Sequence, residues 1–200
     1  VVNTGAGRMI VNTGMGFEAH HHKALFDAVV PGPTTHILST QAHVDHLGGV
    51  SVFRESGAVY IAQANNAACQ RDDERIQAFR MSSAMIWFPN VPVAVRDLLT
   101  RYPGVRIEQD RPVPDVTFDE RMGFRAGDLD VELIAAAGET IDSMIVWLPQ
   151  HRIAMISNLL DTLINQIPRW EQASAISTIL LIVTLVIFAA YRRLDRKASA

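Results

Sequence analysis

Apolar positions along the first hundred residues alternate between two periods. Val1 to Thr4 and Met9 to Asn12 are short apolar runs joined at Gly5-Ala6-Gly7-Arg8, a pattern that predicts a hairpin at a sheet edge. Thr13-Gly14-Met15-Gly16 reads as a loop. Residues 19 to 29 predict a helix, with Leu25, Phe26 and Val29 apolar and His20 to Lys23 polar, stopped by Pro31-Gly32-Pro33. A strand at 35–39, a helix at 46–55 and a strand at 58–62 follow. Residues 64–82 read as a helix carrying the charges Arg71 to Arg75, and 93–101 as a short helix after a turn at Asn90 to Pro92.

From residue 104 the period shortens to that of strands. Phe118 to Phe124 and Leu129 to Ala136 predict one hairpin around Ala126-Gly127-Asp128. Ser143 to Leu148 and Ile153 to Ser157 predict a second, turning at Pro149 to Arg152. Alternation followed by hairpins implies an α/β fold of two mixed sheets with helices on their outer faces.

Candidate chemistry is concentrated in Thr40-Gln41-Ala42-His43-Val44-Asp45-His46-Leu47-Gly48-Gly49. Two imidazoles and a carboxylate stand within four residues, just after a strand and just before a helix. Nitrogen and oxygen donors in that arrangement suit zinc or a similar divalent ion. The glycine pair lets the following helix sit close to the site.

This run resembles the metal motif of the metallo-β-lactamase superfamily, His-x-His-x-Asp-His followed by a glycine pair, with Gln41 standing at the first histidine. Gly138-Glu139-Thr140 and Trp147-Leu148-Pro149-Gln150 look like the alkylsulfatase-like branch, where a glutamate replaces a superfamily histidine. The resemblance covers residues 1–160 and implies an αββα sandwich, with Gln41, His43, Asp45, His46, Glu139 and Asn158 as metal ligands. It further implies one or two zinc ions (manganese or iron being alternatives), Asp45 orienting the attacking water and taking its proton, and a small-molecule ester substrate, sulfate esters included. Asn158 stands where most of the superfamily has a bridging aspartate, and no histidine follows it. A site short of ligands points to one ion held firmly or to a weakly occupied pair.

Two other readings remain open. One is a non-catalytic, metal-poor relic or binding module that keeps the fold. The other rests on the tail. Residues 173–191 carry no charge and would span about 28 Å as a helix, with Trp170 before them and Arg192, Arg193, Arg196 and Lys197 after. That pattern predicts a transmembrane helix with a basic tail at 192–200 on the cytoplasmic side, after a linker at 161–172. Leu163 to Gln166 and Trp170 to Arg193 are weakly similar to the last membrane helix of an ABC-transporter permease, which would suit a fused or truncated chain.

Formal net charge is −3, and no basic run precedes residue 190, so a nucleic-acid partner is not expected. Cys69 is the sole cysteine, which excludes an intrachain disulfide and leaves a buried inert thiol as the expectation. The chain opens at Val1 inside an apparent strand, so its amino end is expected to be incomplete. His20 to His22 read as a solvated helix start, His36 as a core or supporting imidazole, and His151 as an exposed turn residue. Asn65 and Asn66 read as helix-capping residues, and Met85, Trp87 and Phe88 as core packing or an apolar channel.

Overall fold

A computed structural model describes residues 1–105 and 107–156. Asn158, the linker at 161–172, the predicted span at 173–191 and the basic tail lie outside the described residues. Among the described residues, no helix is long and apolar enough to cross a membrane.

The described strands form two sheets. The first contains β1 (Val2–Asn3), β2 (Arg8–Val11), β3 (Thr34–Leu38), β4 (Val59–Gln63) and β5 (Val116–Phe118), in that spatial order. β1 and β2 are the expected antiparallel hairpin; β2 through β5 run parallel. The second sheet is an antiparallel meander of β6 (Arg121–Ala126), β7 (Leu129–Ala135), β8 (Met144–Leu148) and β9 (Ile153–Ile156).

Consecutive residues on the parallel strands are buried on opposite faces. Met9, Leu38, Ile61 and Phe118 face the second sheet and pack on Val131, Leu133, Met144 and Val146. Ile10, Ile37, Tyr60 and Ala62 face outward and are covered by Ala19 and Phe26 of α1 (Gly16–Val29), Leu47 of α2 (Val44–Leu47), and Val50 and Phe53 of α3 (Val50–Phe53). Burial on both faces explains why these strands read as unbroken apolar runs. In the second sheet the pattern alternates. Leu129, Val131 and Leu133 are buried, whereas Asp130 and Glu132 are exposed.

Several boundaries differ from expectation. The helix expected at 46–55 is two short helices separated by Gly48-Gly49. A Cβ on Gly49 would collide with Ala19 of α1, so the glycine permits the close helix contact. The helix expected at 64–82 divides at Ile76 into α4 (Asn66–Arg75) and α5 (Gln77–Trp87), and α6 (Val91–Arg101) follows. The strand expected from Phe118 to Phe124 is cut at Asp119-Glu120. Its first part pairs with β4 in one sheet and its second part opens the other, because Phe118 is claimed by the parallel ladder at Gln63. The αββα expectation is met for three layers. The outer face of the second sheet carries exposed charges, and no fourth helical layer stands on it among the described residues. Phe88 is exposed rather than packed in a core.

Arg8 anchors the sheet at the end away from the candidate site. Its side chain is 1% exposed. Nε donates to Thr34 Oγ1 (3.1 Å), Nη2 to Glu55 Oε1 (3.1 Å), and Nη1 contacts the Asp27 carboxylate. One guanidinium thereby joins α1, β3 and the segment after α3. Its fork geometry suits two carboxylates at once.

Candidate metal centre

Both sheets contribute to the site. β3 ends at Leu38, and the loop that follows is fixed from two sides. Asn12, in the left-handed region at φ 60°, accepts from the Thr40 backbone N–H at 2.9 Å. Across the sheet interface, the Met144 N–H donates to the Thr40 carbonyl at 2.9 Å. Thr13 Oγ1 donates to the His46 carbonyl at 3.2 Å and so holds α2 against the end of β2. The loop cannot tilt without breaking bonds to both sheets.

Within that frame, four of the sequence-predicted ligands converge. Gln41 is 1% exposed, and its Nε2 lies 3.1 Å from His43 Nδ1, 2.8 Å from His46 Nε2 and 3.2 Å from Glu139 Oε2. Ser143 Oγ donates to Gln41 Oε1 at 3.4 Å. Glu139 lies on the loop after β7, and its Oε1 is 3.6 Å from His43 Nδ1. Asp45 is more exposed and has Oδ2 3.4 Å from His46 Nε2. Asn158, the sixth predicted ligand, is outside the described residues. Burial holds the His46 imidazole below its usual pKa, with the Asp45 carboxylate pulling the other way.

These distances test the fit of a divalent ion. Two donors on one tetrahedral zinc, each about 2.1 Å from it, stand about 3.4 Å apart. The pairs His43 Nδ1–Glu139 Oε1 and His46 Nε2–Asp45 Oδ2 already have about that spacing. Donor type and spacing therefore fit. The number of donors falls short, since among the described residues no three His, Cys, Asp or Glu side chains form a group that could hold a metal. The third position belongs to the Gln41 amide, whose nitrogen points inward. The arrangement suits one loosely held ion that the Gln41 carbonyl could complete after its amide turns over.

Several neighbours escaped sequence analysis. Arg80 of α5 brings Nη2 to 2.9 Å from His43 Nε2. Asp142, fully buried, accepts from Asn66 Nδ2 (2.9 Å) and Thr140 Oγ1 (2.6 Å) and so ties the Glu139 loop to α4. Asn66 is thus a strut rather than a helix cap. The available signal was an acid three residues after Glu139 in a loop, a weak one. Cys69 is half-buried, and burial together with Asp142 pushes its thiol up to about 11, as expected of an inert thiol. A cavity of about 360 Å³ opens beside His43 and Glu139, walled by Ala68, Cys69, Ile76 and Ile141 and by Asp72, Asp73 and Arg80.

The other histidines are apart from this cluster. His21 Nδ1 pairs with the Tyr102 hydroxyl at 2.9 Å, and His22 lies within 3.3 Å of the Thr13 carbonyl and stacks on Phe26. His36 is half-buried against Phe124, and His151 is exposed in its turn.

No family model matches the chain, and no curated protein matches it. Solved structures do. A double mutant of the sec-alkyl sulfatase PisA1 is similar with a TM-score of 0.62 and 13% identity, over 78% of this chain and 27% of that one. A Cronobacter sakazakii metallo-β-lactamase with a HARLDQ motif is similar with a TM-score of 0.51 and 15% identity, over 78% of this chain and 52% of that one. This chain therefore spans between about a quarter and a half of the length of these relatives. The shared feature is the fold, a metallo-β-lactamase fold.

Proposed function

We propose that the chain is a metal-dependent hydrolase of the metallo-β-lactamase fold acting on small esters, sulfate esters among them. The observation that supports this reading is the convergence of two donor pairs, His43 with Glu139 and His46 with Asp45, at ligand spacing beside an open cavity. His43, Glu139 and Gln41 would hold one ion, and Asp45 with His46 would offer a poorer second position. A bound divalent ion supplies Lewis-acid polarisation and a water acidic enough to attack at neutral pH.

The chain's own residues perform the rest. Asp45 is exposed enough to accept the proton of an attacking water and to hand it to solvent. Ile76 and Ile141 form an apolar wall for an alkyl group. Asn12, Thr13 and Met144 hold the ligand loop in place. Elemental analysis after dialysis without chelator is the test. About one equivalent of zinc, manganese or iron per chain is expected, and none at all in excess metal would defeat the proposal.

The metal-poor alternative has its own support in the inward-facing Gln41 amide, which satisfies the same donors without an ion. For residues 173–191 we propose membrane insertion, a reading based on their uncharged sequence.

A further inference from the structure

Phe79, Met81, Ile86, Phe88, Val91 and Val93 are large apolar side chains exposed on α5, on α6 and on the turn that joins them. From Met81 to Val95 the chain has no charged residue, although one residue in five of the whole is charged. A surface helix ordinarily turns one apolar stripe inward and leaves the rest polar. α5 does not. Phe79 and Ile86, seven residues apart, share one face, and Met81 lies about 200° round the helix from Phe79. All three are open, at 73%, 77% and 67% exposure.

Whatever covers this turn must accept apolar side chains from more than one face of a helix and meet positive charge beside them. A flat protein surface covers one stripe, whereas fluid lipid closes round the whole turn. The charge agrees with lipid. Residues 75 to 101 hold four arginines and one acid, a formal charge of +3 in a chain of −3. Arg80 is turned to His43 and Asp73. Arg96 is open to solvent, with Asp97 3.7 Å from its Nε. It stands about 8 Å along α6 from Val91, within the depth of about 5–10 Å to which an interfacial helix sinks its apolar face. Trp87 and Phe88, at the end of α5, are residue types that favour that interface.

We propose that the α5–α6 turn docks on the surface of an anionic phospholipid bilayer, with Ile86, Phe88, Val91 and Val93 entering the interface and Arg96 meeting the headgroups. The proposal depends neither on the hydrolase reading nor on insertion of residues 173–191.

Depth-dependent fluorescence quenching tests it in the full chain. An environment-sensitive label is placed on Phe88→Cys in a Cys69→Ser background, and the chain is reconstituted into phosphatidylcholine vesicles that contain phosphatidylserine and brominated acyl chains. The label at 88 should be quenched, and a label on Asp130→Cys, on the exposed side of β7, should not. Arg96→Gln should lower the ratio of docked to undocked turn about fivefold, the worth of one arginine beside anionic lipid. Val93→Asp should abolish the quenching. Both positions are exposed, so melting temperatures should match the parent's. An unquenched label at 88 overturns the proposal, whether its emission is that of water or is shielded by a second copy or by residues 173–191. Equal quenching at 88 and 130 overturns it too, as does quenching at 88 that is unchanged without phosphatidylserine or unmoved by both substitutions, since that reports only a chain held near the bilayer by another segment.

Discussion

Replacing Gln41 with histidine puts the amide's two roles in opposition. In the metal-free chain the amide donates to His46 and Glu139 and accepts from Ser143. An imidazole at that position can keep about one of these three bonds. Losing two at about 1 kcal/mol each makes the metal-free variant about 2 kcal/mol less stable. For a domain of this size that lowers the melting temperature by about 4–8 °C. With zinc the sign reverses, because the new imidazole joins His43 and Glu139 as a third strong donor. Free zinc at a hundred times the dissociation constant adds about 2.7 kcal/mol, more than the substitution removes. Melting curves of both chains, with chelator and with zinc, check this. The variant should melt lower than the parent in chelator and show the larger rise with zinc. A variant whose melting is insensitive to zinc would refute the reasoning, and one that melts as high as the parent in chelator would show that the Gln41 bonds contribute nothing.

Arg8→Met keeps the buried stem and removes the charge that Asp27 and Glu55 share, at an expected cost of about 3 kcal/mol by denaturant titration. The Asp27 and Glu55 carboxyls are held below their usual pKa, Asp27 chiefly by its hydrogen bond to Arg8, and Glu55 by the Thr34 N–H and Lys23 against the opposing effect of burial. A depressed carboxyl pKa gives stability that is present above the unfolded value and lost as pH falls through the folded one. The parent should therefore lose stability below about pH 4 more steeply than Arg8→Met, as read from melting temperature against pH. Cys69, with its thiol pushed up to about 11, should react with iodoacetamide at pH 8 far more slowly in the native chain than after unfolding, as followed by mass spectrometry. If residues 173–191 insert in a bilayer, the full chain should pellet with membranes after alkaline carbonate extraction, and a chain ending at Arg169 should not.

Sequence patterning carries most of the fold because burial dictates it. Met9 and Ile10, Leu38 and Ile37, and Ile61 and Tyr60 must each satisfy a different face, which leaves only apolar residues at neighbouring positions. The ligand loop was legible for a similar reason: few combinations of histidine, aspartate and glycine occur at that spacing without a shared point to face. Phe118 was misassigned because one apolar run serves two sheets, and only the parallel pairing with Gln63 separates them. Arg80, Asp142 and Asn66 were invisible as site residues. Their roles depend on contacts with residues 37 to 76 positions away, and nothing in the local pattern of α4 or α5 sets them apart from solvated polar residues.

The hydrogen bond from Met144 to Thr40 has a consequence for the time course of folding. Gln41 and Glu139 are 98 residues apart in sequence and meet only once the second sheet has closed on the first. Contacts of such long range form late, because the chain must lose the entropy of a large loop before they can reward it. The donors contributed by His43 and His46 exist from the first turn of α2 onward, but the pocket that gathers them with Glu139 does not. A metal probe that senses the full donor set should therefore report the final closure of the two sheets, and its signal should trail the appearance of secondary structure during refolding.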